Sequence, residues 1–415
     1  MSILSRWNGF EELELNGGTL PVEVTAAAED AARAEVAEVQ VELEQQGQEI
    51  EELRAEVANQ DEALEEVQEL VSGMESMLGS GSFHSQSFAS LYNRAAKLNT
   101  VLGGASVDRC GTESMTDAAT ALVMARTGME SFMETVKGYA KKAIEVIKHI
   151  FNTIINFFVG LVNAAEKLDR RATQIGERLE KTEKLKEKVK LGGWNVLFDY
   201  EKHGLAEGTE GWGTTLGALR GFADVASDVN KVSVASFNSA YGSLVSAIKG
   251  DAKKDVGAAE KSEGDKKVLI GMSAGIRVHA EMKDGSAKDL AEAAEMARSV
   301  KLFFGTGDAK KLTSGESAPK ADKAKLKSAL AEVKAIASQL RSDKVSAAFS
   351  KSVRDKVIGT LNVVKADDKE KEKEVNAQVA LVRAVYSSAS SATQAVNKQL
   401  VRCANWTCDA VAAHI

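Results

Sequence analysis

Between Val36 and Val71 apolar residues recur at heptad spacing through five consecutive repeats without a slip. Val36, Val39, Leu43, Ile50, Leu53, Val57, Leu64, Val67 and Val71 take the a and d positions, Gln46 and Gln60 interrupt at d, and Glu fills most of the outer face. A 3.5-residue apolar period held this long specifies a helix whose stripe another helix must cover. Only two prolines, Pro21 and Pro319, occur in 415 residues, against a usual level of about 5%. Proline breaks helices by removing an amide donor and clashing with the preceding turn, so its scarcity extends the helical expectation to the rest of the chain. The expected fold class is mainly α: an acidic N-terminal coiled coil followed by an elongated helical bundle, with room for a minor short-strand element. Glu side chains four residues apart repel one another on an isolated helix. The coiled coil therefore calls for a partner strand, as in a homo-oligomer through 36–71, or for a basic surface, and either a temporary assembly handle or a permanent dimerisation helix satisfies that.

Charge divides the chain at the end of the heptads. Residues 1–75 hold 20 acidic against 3 basic side chains, and the remaining 340 hold 40 acidic against 50 basic, so a total of −7 conceals −17 followed by +10. At this boundary a tetrapeptide begins to repeat: Gly73-Met74-Glu75-Ser76, Gly111-Thr112-Glu113-Ser114 and Gly128-Met129-Glu130-Ser131. Gly79-Ser80-Gly81-Ser82 follows the first copy, a composition expected to expose the backbone to a protease. Shorter matches occur at Ser314-Gly315-Glu316, Gly208-Thr209-Glu210 and Ala258-Ala259-Glu260, so the clustering at a charge boundary carries the information.

The repeated small-x-Glu-Ser sites at Glu75, Glu113 and Glu130, followed by a Lys-rich, Ile/Phe-rich helix, resemble the internal head proteins of phiKZ-like giant bacteriophages. The resemblance implies a propeptide cut off after Glu by a prohead protease inside the assembling head, with passage of the mature protein into the host as a further implication. It implies the virion interior as location, with host cytoplasm during assembly, and packaged DNA and other internal head or capsid proteins as neighbours. Glu75, Glu113 and Glu130 are then the cleavage candidates, Glu75 and Glu113 in flexible context and Glu130 inside a helix.

Downstream, a short helix is expected over 87–103 and another from Thr116 that Gly128 only kinks. The strongest apolar stripe runs from Phe132 through Ile147, Ile150, Ile154, Phe158 and Leu161 to Leu168. Its most apolar part, Ile150 to Val162, interrupted only by Asn152, Thr153, Asn156 and Gly160, is too short to cross a hydrocarbon core of about 30 Å. It reads as a bundle core helix or as an amphipathic segment on a membrane surface. Charged helix continues to Lys190, and Lys137, Lys141, Lys142, Lys148, Arg170, Arg171, Lys184, Lys186, Lys188 and Lys190 form a candidate phosphate-facing surface, with a solvated helix face as the plainer account. From 137 to 190 there are 13 basic against 7 acidic residues, enough for a salt-dependent, sequence-blind attraction to DNA.

Beyond Gly192-Gly193, helix is expected within 216–248, a charged linker over 249–267, an edge strand over Ile276–Met282 and a helix over 287–304. A second linker over 305–323 precedes helices over 324–340, 344–363 and 370–412. The units expected are 1–75 as propeptide, 76–130 as processed spacer, 131–250 as basic helical core, 268–304 as a strand-helix unit and 324–415 as a C-terminal helical domain.

No constellation for catalysis, cofactor or metal stands out. Gly211-x-Gly213-x-x-x-Gly217 lacks dinucleotide or phosphate-loop spacing, the five histidines are scattered, and Cys403-x4-Cys-x5-His414 is too irregular for zinc. Three cysteines suit a reducing compartment, and Met1 to Phe10 has no signal-peptide pattern. The expectation is a non-enzymatic virion component. Its rival is a coiled-coil scaffold or peripheral membrane-associated protein whose N-terminal helix is permanent.

Overall fold

The computed structural model describes residues 26–79, 83–102, 118–137, 139–187, 189–190, 194, 198–199, 204–205, 212–256, 259–263, 266–273, 276–306, 317–318, 322–342, 348–363 and 369–415. Helices α1 (Ala26–Gly79), α2 (Ser85–Val101), α3 (Ala118–Lys137) and α4 (Tyr139–Lys181) occupy the N-terminal half. After the short strands β1 (Val189–Lys190), β2 (Phe198–Asp199) and β3 (Gly204–Leu205) come α5 (Gly213–Val225) and α6 (Val234–Val256). Strands β4 (Ala259–Glu263), β5 (Lys266–Ser273) and β6 (Ile276–Lys283), helix α7 (Leu290–Ser299) and strand β7 (Lys301–Thr306) follow. The chain closes with β8 (Ser317–Ala318), α8 (Lys323–Arg341), α9 (Lys351–Val363) and α10 (Lys369–His414). The fold is mainly α with a minor strand element, as the proline-poor, periodic sequence requires.

The C-terminal helix α10 is the centre of the molecule. It packs against α1, α4, α5, α7, α8 and β7, and from Leu381 to Val411 it is buried on nearly every face. The sequence shows only the stripe Val375, Val379, Val382 and Val385, because the other faces carry Ser387, Ser388, Ser390, Ser391 and Thr393, which read as solvated. They are buried. Two are satisfied inside the helix itself, Ser387 donating to the Ala384 carbonyl at 3.1 Å and Ser390 to that of Ser387 at 2.9 Å, and farther along Thr407 donates likewise to that of Cys403 at 2.8 Å. Small side chains that satisfy their own hydroxyls let neighbouring helices approach from several sides.

Helix α1 joins two apolar clusters. Its first half sends Val36, Val39, Leu43, Ile50 and Val57 into the main core with α4 and α10. Its second half sends Ala63, Val67, Leu70 and Met74 into a smaller lobe with Phe88, Tyr92 and Ala95 of α2 and Ala125, Met129 and Phe132 of α3. The heptad places Leu64 and Val71 inward, yet the fully buried positions there are 63, 67, 70 and 74. The inner face has therefore turned from the a and d positions to one position before a together with d, because this half of the helix is covered by α2 and α3 in place of α4 and α10. The stripe of α1 is covered throughout by helices of its own chain. Each buried Val, Leu or Ile contributes about 1.5–3 kcal/mol, which makes the five residues in the main core worth on the order of 10 kcal/mol before opposing terms.

Other expectations need correction. The apolar helix expected from Phe132 begins at Tyr139, and Phe132 belongs to α3, where its ring lies 5.8 Å from that of Tyr92. The charged helix expected to reach Lys190 stops at Lys181. Ile276–Lys283 is an interior strand, because the antiparallel order is β4-β5-β6-β7 and β6 is paired on both sides. Its alternation was legible; its neighbours were not, since β4 lies in the segment read as a linker and β7 in the end of the expected helix 287–304. That helix stops at Ser299 and Lys301–Thr306 becomes strand. Its start is well marked: the Asp289 side chain caps it by accepting the Glu292 amide at 2.8 Å, while Glu292 reaches back one residue before the cap to accept the Lys288 amide at 2.8 Å.

Candidate processing sites and basic surface

Two of the three Gly-x-Glu-Ser copies fall in described residues, on facing helices of the small lobe. In both copies the residue between Gly and Glu is a buried methionine, Met74 at 0% and Met129 at 5% exposure. Both glycines face α2: a Cβ at Gly73 would lie 3.3 Å from Leu91, and one at Gly128 would lie 3.6 Å from Tyr92. The tetrapeptide is therefore also a packing unit. It brings a bare backbone and a flexible apolar side chain against α2 from either side, which explains Gly and Met without reference to a protease.

Glu75 is half-buried and Glu130 exposed, both inside helix. Glu130 agrees with expectation, whereas the flexible context expected for Glu75 is corrected: α1 runs through Ser72-Gly73 and ends at Gly79. A glycine costs about 1 kcal/mol in a helix interior, and the packing of Met74, Met77 and Leu78 into the lobe offsets it. Glu113, like Glu210 and Glu316, lies outside the described residues, and Glu260 sits in β4.

Of the ten candidate basic residues, the side chains described are those of Lys148, Arg170, Arg171, Lys184 and Lys186, and Arg171 is not at the surface. Arg171 is at 0% exposure, donating to Asp409 at 2.6 Å and to the Asn405 carbonyl at 3.3 Å, so it is an internal strut and not a phosphate contact. Arg170 faces Glu35 of α1 at 3.7 Å, and Lys148 pairs with Glu145 on its own helix at 2.6 Å. Lys184 and Lys186 are exposed in the turn after α4, where the Lys186 amide donates to the His414 carbonyl at 3.0 Å. Lys137 ends α3, Lys141 and Lys142 lie in the first turn of α4, and Lys190 is in β1. Lys188 falls outside the described residues.

What the sequence reading overlooked is the seam between α1 and the main core. Arg33 and Arg54 are the two cations of α1, and both reach across. Arg33 meets Asp409 at 3.2 Å. Arg54 donates to Ser391 at 3.2 Å and to the Arg298 and Val300 carbonyls at 2.8 and 2.5 Å, tying α1 to α10 and to the α7–β7 corner. Burial lowers its pKa, with Glu51 and Glu281 opposing. Basic residues on α4 and α10 answer the acidic face: Arg178 pairs with Glu29, Lys167 donates to the Glu35 carbonyl at 3.3 Å, and Lys398 lies by Glu44 and Glu51. The signal was present as two arginines in an otherwise acidic helix.

Helix α4 is apolar and long enough to cross a membrane by length and composition. Its stripe, Ile147, Ile150, Phe151, Ile154, Phe157 and Leu161, is buried at 0–3% exposure in the protein's own core, which is the bundle-core alternative of the sequence reading. Cys403 and Cys408 are buried in α10, their thiols pushed up to about 12 by burial. Among the described residues no group of three or more His, Cys, Asp or Glu side chains is placed to hold a metal ion.

No curated protein and no solved structure matches the chain. The family model of the phiKZ-like phage internal head proteins does, over residues 38–413, from the first heptads to the end of the central helix. The chain belongs to that family, the structural proteins of the phage head interior.

Proposed function

We propose that this protein is packaged inside the capsid with the DNA and processed by the prohead protease after Gly-x-Glu, at one or more of Glu75, Glu113 and Glu130. The observation that carries the reading is the coincidence of the repeated tetrapeptide with the charge boundary, −17 before Ser76 and +10 after it, in a chain of the internal head family. While the acidic segment is in place it neutralises basic side chains such as Arg170 and Arg178, which limits premature attraction to DNA. Contact with DNA is non-specific, other internal head or capsid proteins are the neighbours, and synthesis and assembly take place in the host cytoplasm. Passage into the host with the genome extends the same reading.

A second reading is favoured by one observation, the seating of α1 in both apolar clusters. On that reading the protein is a head component whose N-terminal helix is a permanent part of the fold and is never cut. The N-terminal sequence and intact mass of the protein from purified particles decide between them. A start at Ser76, Ser114 or Ser131 supports processing; a full-length chain removes it. Salt-dependent retention of random-sequence DNA by the processed form, steeper than for the uncut form, tests the charge argument.

A further inference from the structure

We propose that a cut after Glu75 does not by itself remove the acidic helix: residues 1–75 stay seated, and the cut protein is a two-chain complex with residues 76–415. The inference rests on the processing reading above. The contacts that hold α1 lie mostly upstream of the cut and far from it in sequence. Val36, Val39, Leu43, Ile50 and Val57 are in the main core, whereas the covalent link at Glu75 lies in the small lobe. Breaking that link removes none of these contacts.

The seat on α4 and α10 is built for an acidic amphipathic helix. Gly160 of α4 leaves room for Leu43 and Gln46, and Gly47 of α1 leaves room for Gln394 and Lys398 of α10. Thr153 reaches Glu49 at 3.4 Å, and Asn405 reaches Gln40 at 3.2 Å. Glu29, Glu35, Glu44 and Glu51 meet Arg178, Arg170 and Lys398, while Arg33 returns a positive charge to Asp409. Departure of α1 would uncover an apolar groove together with α10's buried serines and glutamines, a surface whose exposure to water is unfavourable. Cutting and removal are thus separate events. The reversal from −7 to +10 waits on a step that lifts the helix out.

The test uses the full chain with the recognition sequence of a sequence-specific endoprotease inserted between Gly79 and Ser80, cut to completion and passed over a sizing column at physiological and at molar salt. A second insertion, between Gly81 and Ser82, covers the case in which the first impairs folding, read by helicity before cutting. The expected result is one peak at the uncut volume containing both chains in equal amounts, separating only in denaturant. A free N-terminal fragment at either salt, whatever the state of the remainder, overturns the proposal. Leu43→Asp in the cut chain should release the fragment, and retention unchanged by it also counts against this seat. Protein from particles separates the two ideas: a processed start with an equimolar N-terminal peptide supports both, a processed start without that peptide overturns retention alone, and a Met1 start overturns processing alone.

Discussion

Asp409 of α10 accepts from Arg171 of α4 across 2.6 Å, and the arginine side chain is at 1% exposure. The same carboxylate faces Arg33 of α1 at 3.2 Å, so one acidic group joins three helices. Its two partners differ in setting, since the Arg33 side chain is at 59% exposure.

That difference predicts unequal costs. Removing one member of a buried pair strands the other, at about 3–5 kcal/mol, whereas an exposed pair contributes about 0–1 kcal/mol. Asp409→Ala should lower unfolding stability in urea by the larger amount and Arg33→Ala by the smaller. The double change Arg171→Met with Asp409→Leu, which leaves no unpaired buried charge, should regain most of the loss. Equal costs for the two single variants would contradict the assignment of Arg171 as an internal strut.

Tyr386 supplies a second case. Its ring sits between Phe151 at 4.6 Å and Phe349 at 5.5 Å. Burial raises its pKa strongly, and its hydroxyl has no partner among the described residues. A buried, unsatisfied hydroxyl costs about 1–3 kcal/mol, so Tyr386→Phe should leave thermal stability unchanged or raise it. Tyr386→Ala, which deletes the ring, should cost about 3–5 kcal/mol. A clear loss in the phenylalanine variant would show that the hydroxyl is bonded.

Burial of Cys403 and Cys408 sets a third expectation. Their thiols ordinarily titrate near 9 and are held up to about 12 in the fold. A raised acid stabilises the folded state below the unfolded value, because the native protein keeps its proton where the unfolded chain would lose it. The contribution is lost as pH rises from about 9 towards 12. Stability should fall across that window, and less so in a Cys403→Ala, Cys408→Ala variant. In a Cys110→Ser background, a thiol reagent at pH about 8 should label neither cysteine until the protein is unfolded.

The sequence made some of this legible and hid the rest for physical reasons. Helices α1 and α4 announced themselves because their apolar positions are large and strictly spaced. Helix α10 did not, because Ser387, Ser388, Ser390 and Ser391 look solvated until one knows that α1, α4 and α8 surround them. The sheet was seen through β6 alone, since Val278, Ala280 and Met282 alternate cleanly. Its partner β4, Ala-Glu-Lys-Ser-Glu, carries no apolar alternation to read. The repeated tetrapeptide was visible, but that its Gly and Met pack against α2 depends on Leu91 and Tyr92. Arg171 was misread because its local sequence, Asp-Arg-Arg, is that of an exposed turn of helix, and Asp409 lies 238 residues away.

The lobe of α1, α2 and α3 should govern access to Glu75 and Glu130. A protease needs an extended backbone, and both glutamates lie in helices held by one small cluster built around Phe88, Tyr92 and Phe132. Cleavage therefore requires local opening, at a rate that follows the stability of this cluster. Phe88→Ala removes a ring at 1% exposure and should destabilise the lobe by about 3–5 kcal/mol, accelerating cuts at both positions by a glutamate-specific endoprotease manyfold. Phe303→Ala, a change at a ring 46% exposed on the sheet, should leave those rates unchanged. Mass mapping of early digestion products gives the two rates separately. Cleavage at Glu75 that is equally fast in the wild-type chain and in Phe88→Ala would mean that this stretch of α1 is already open in solution, and the lobe would then exert no control over processing.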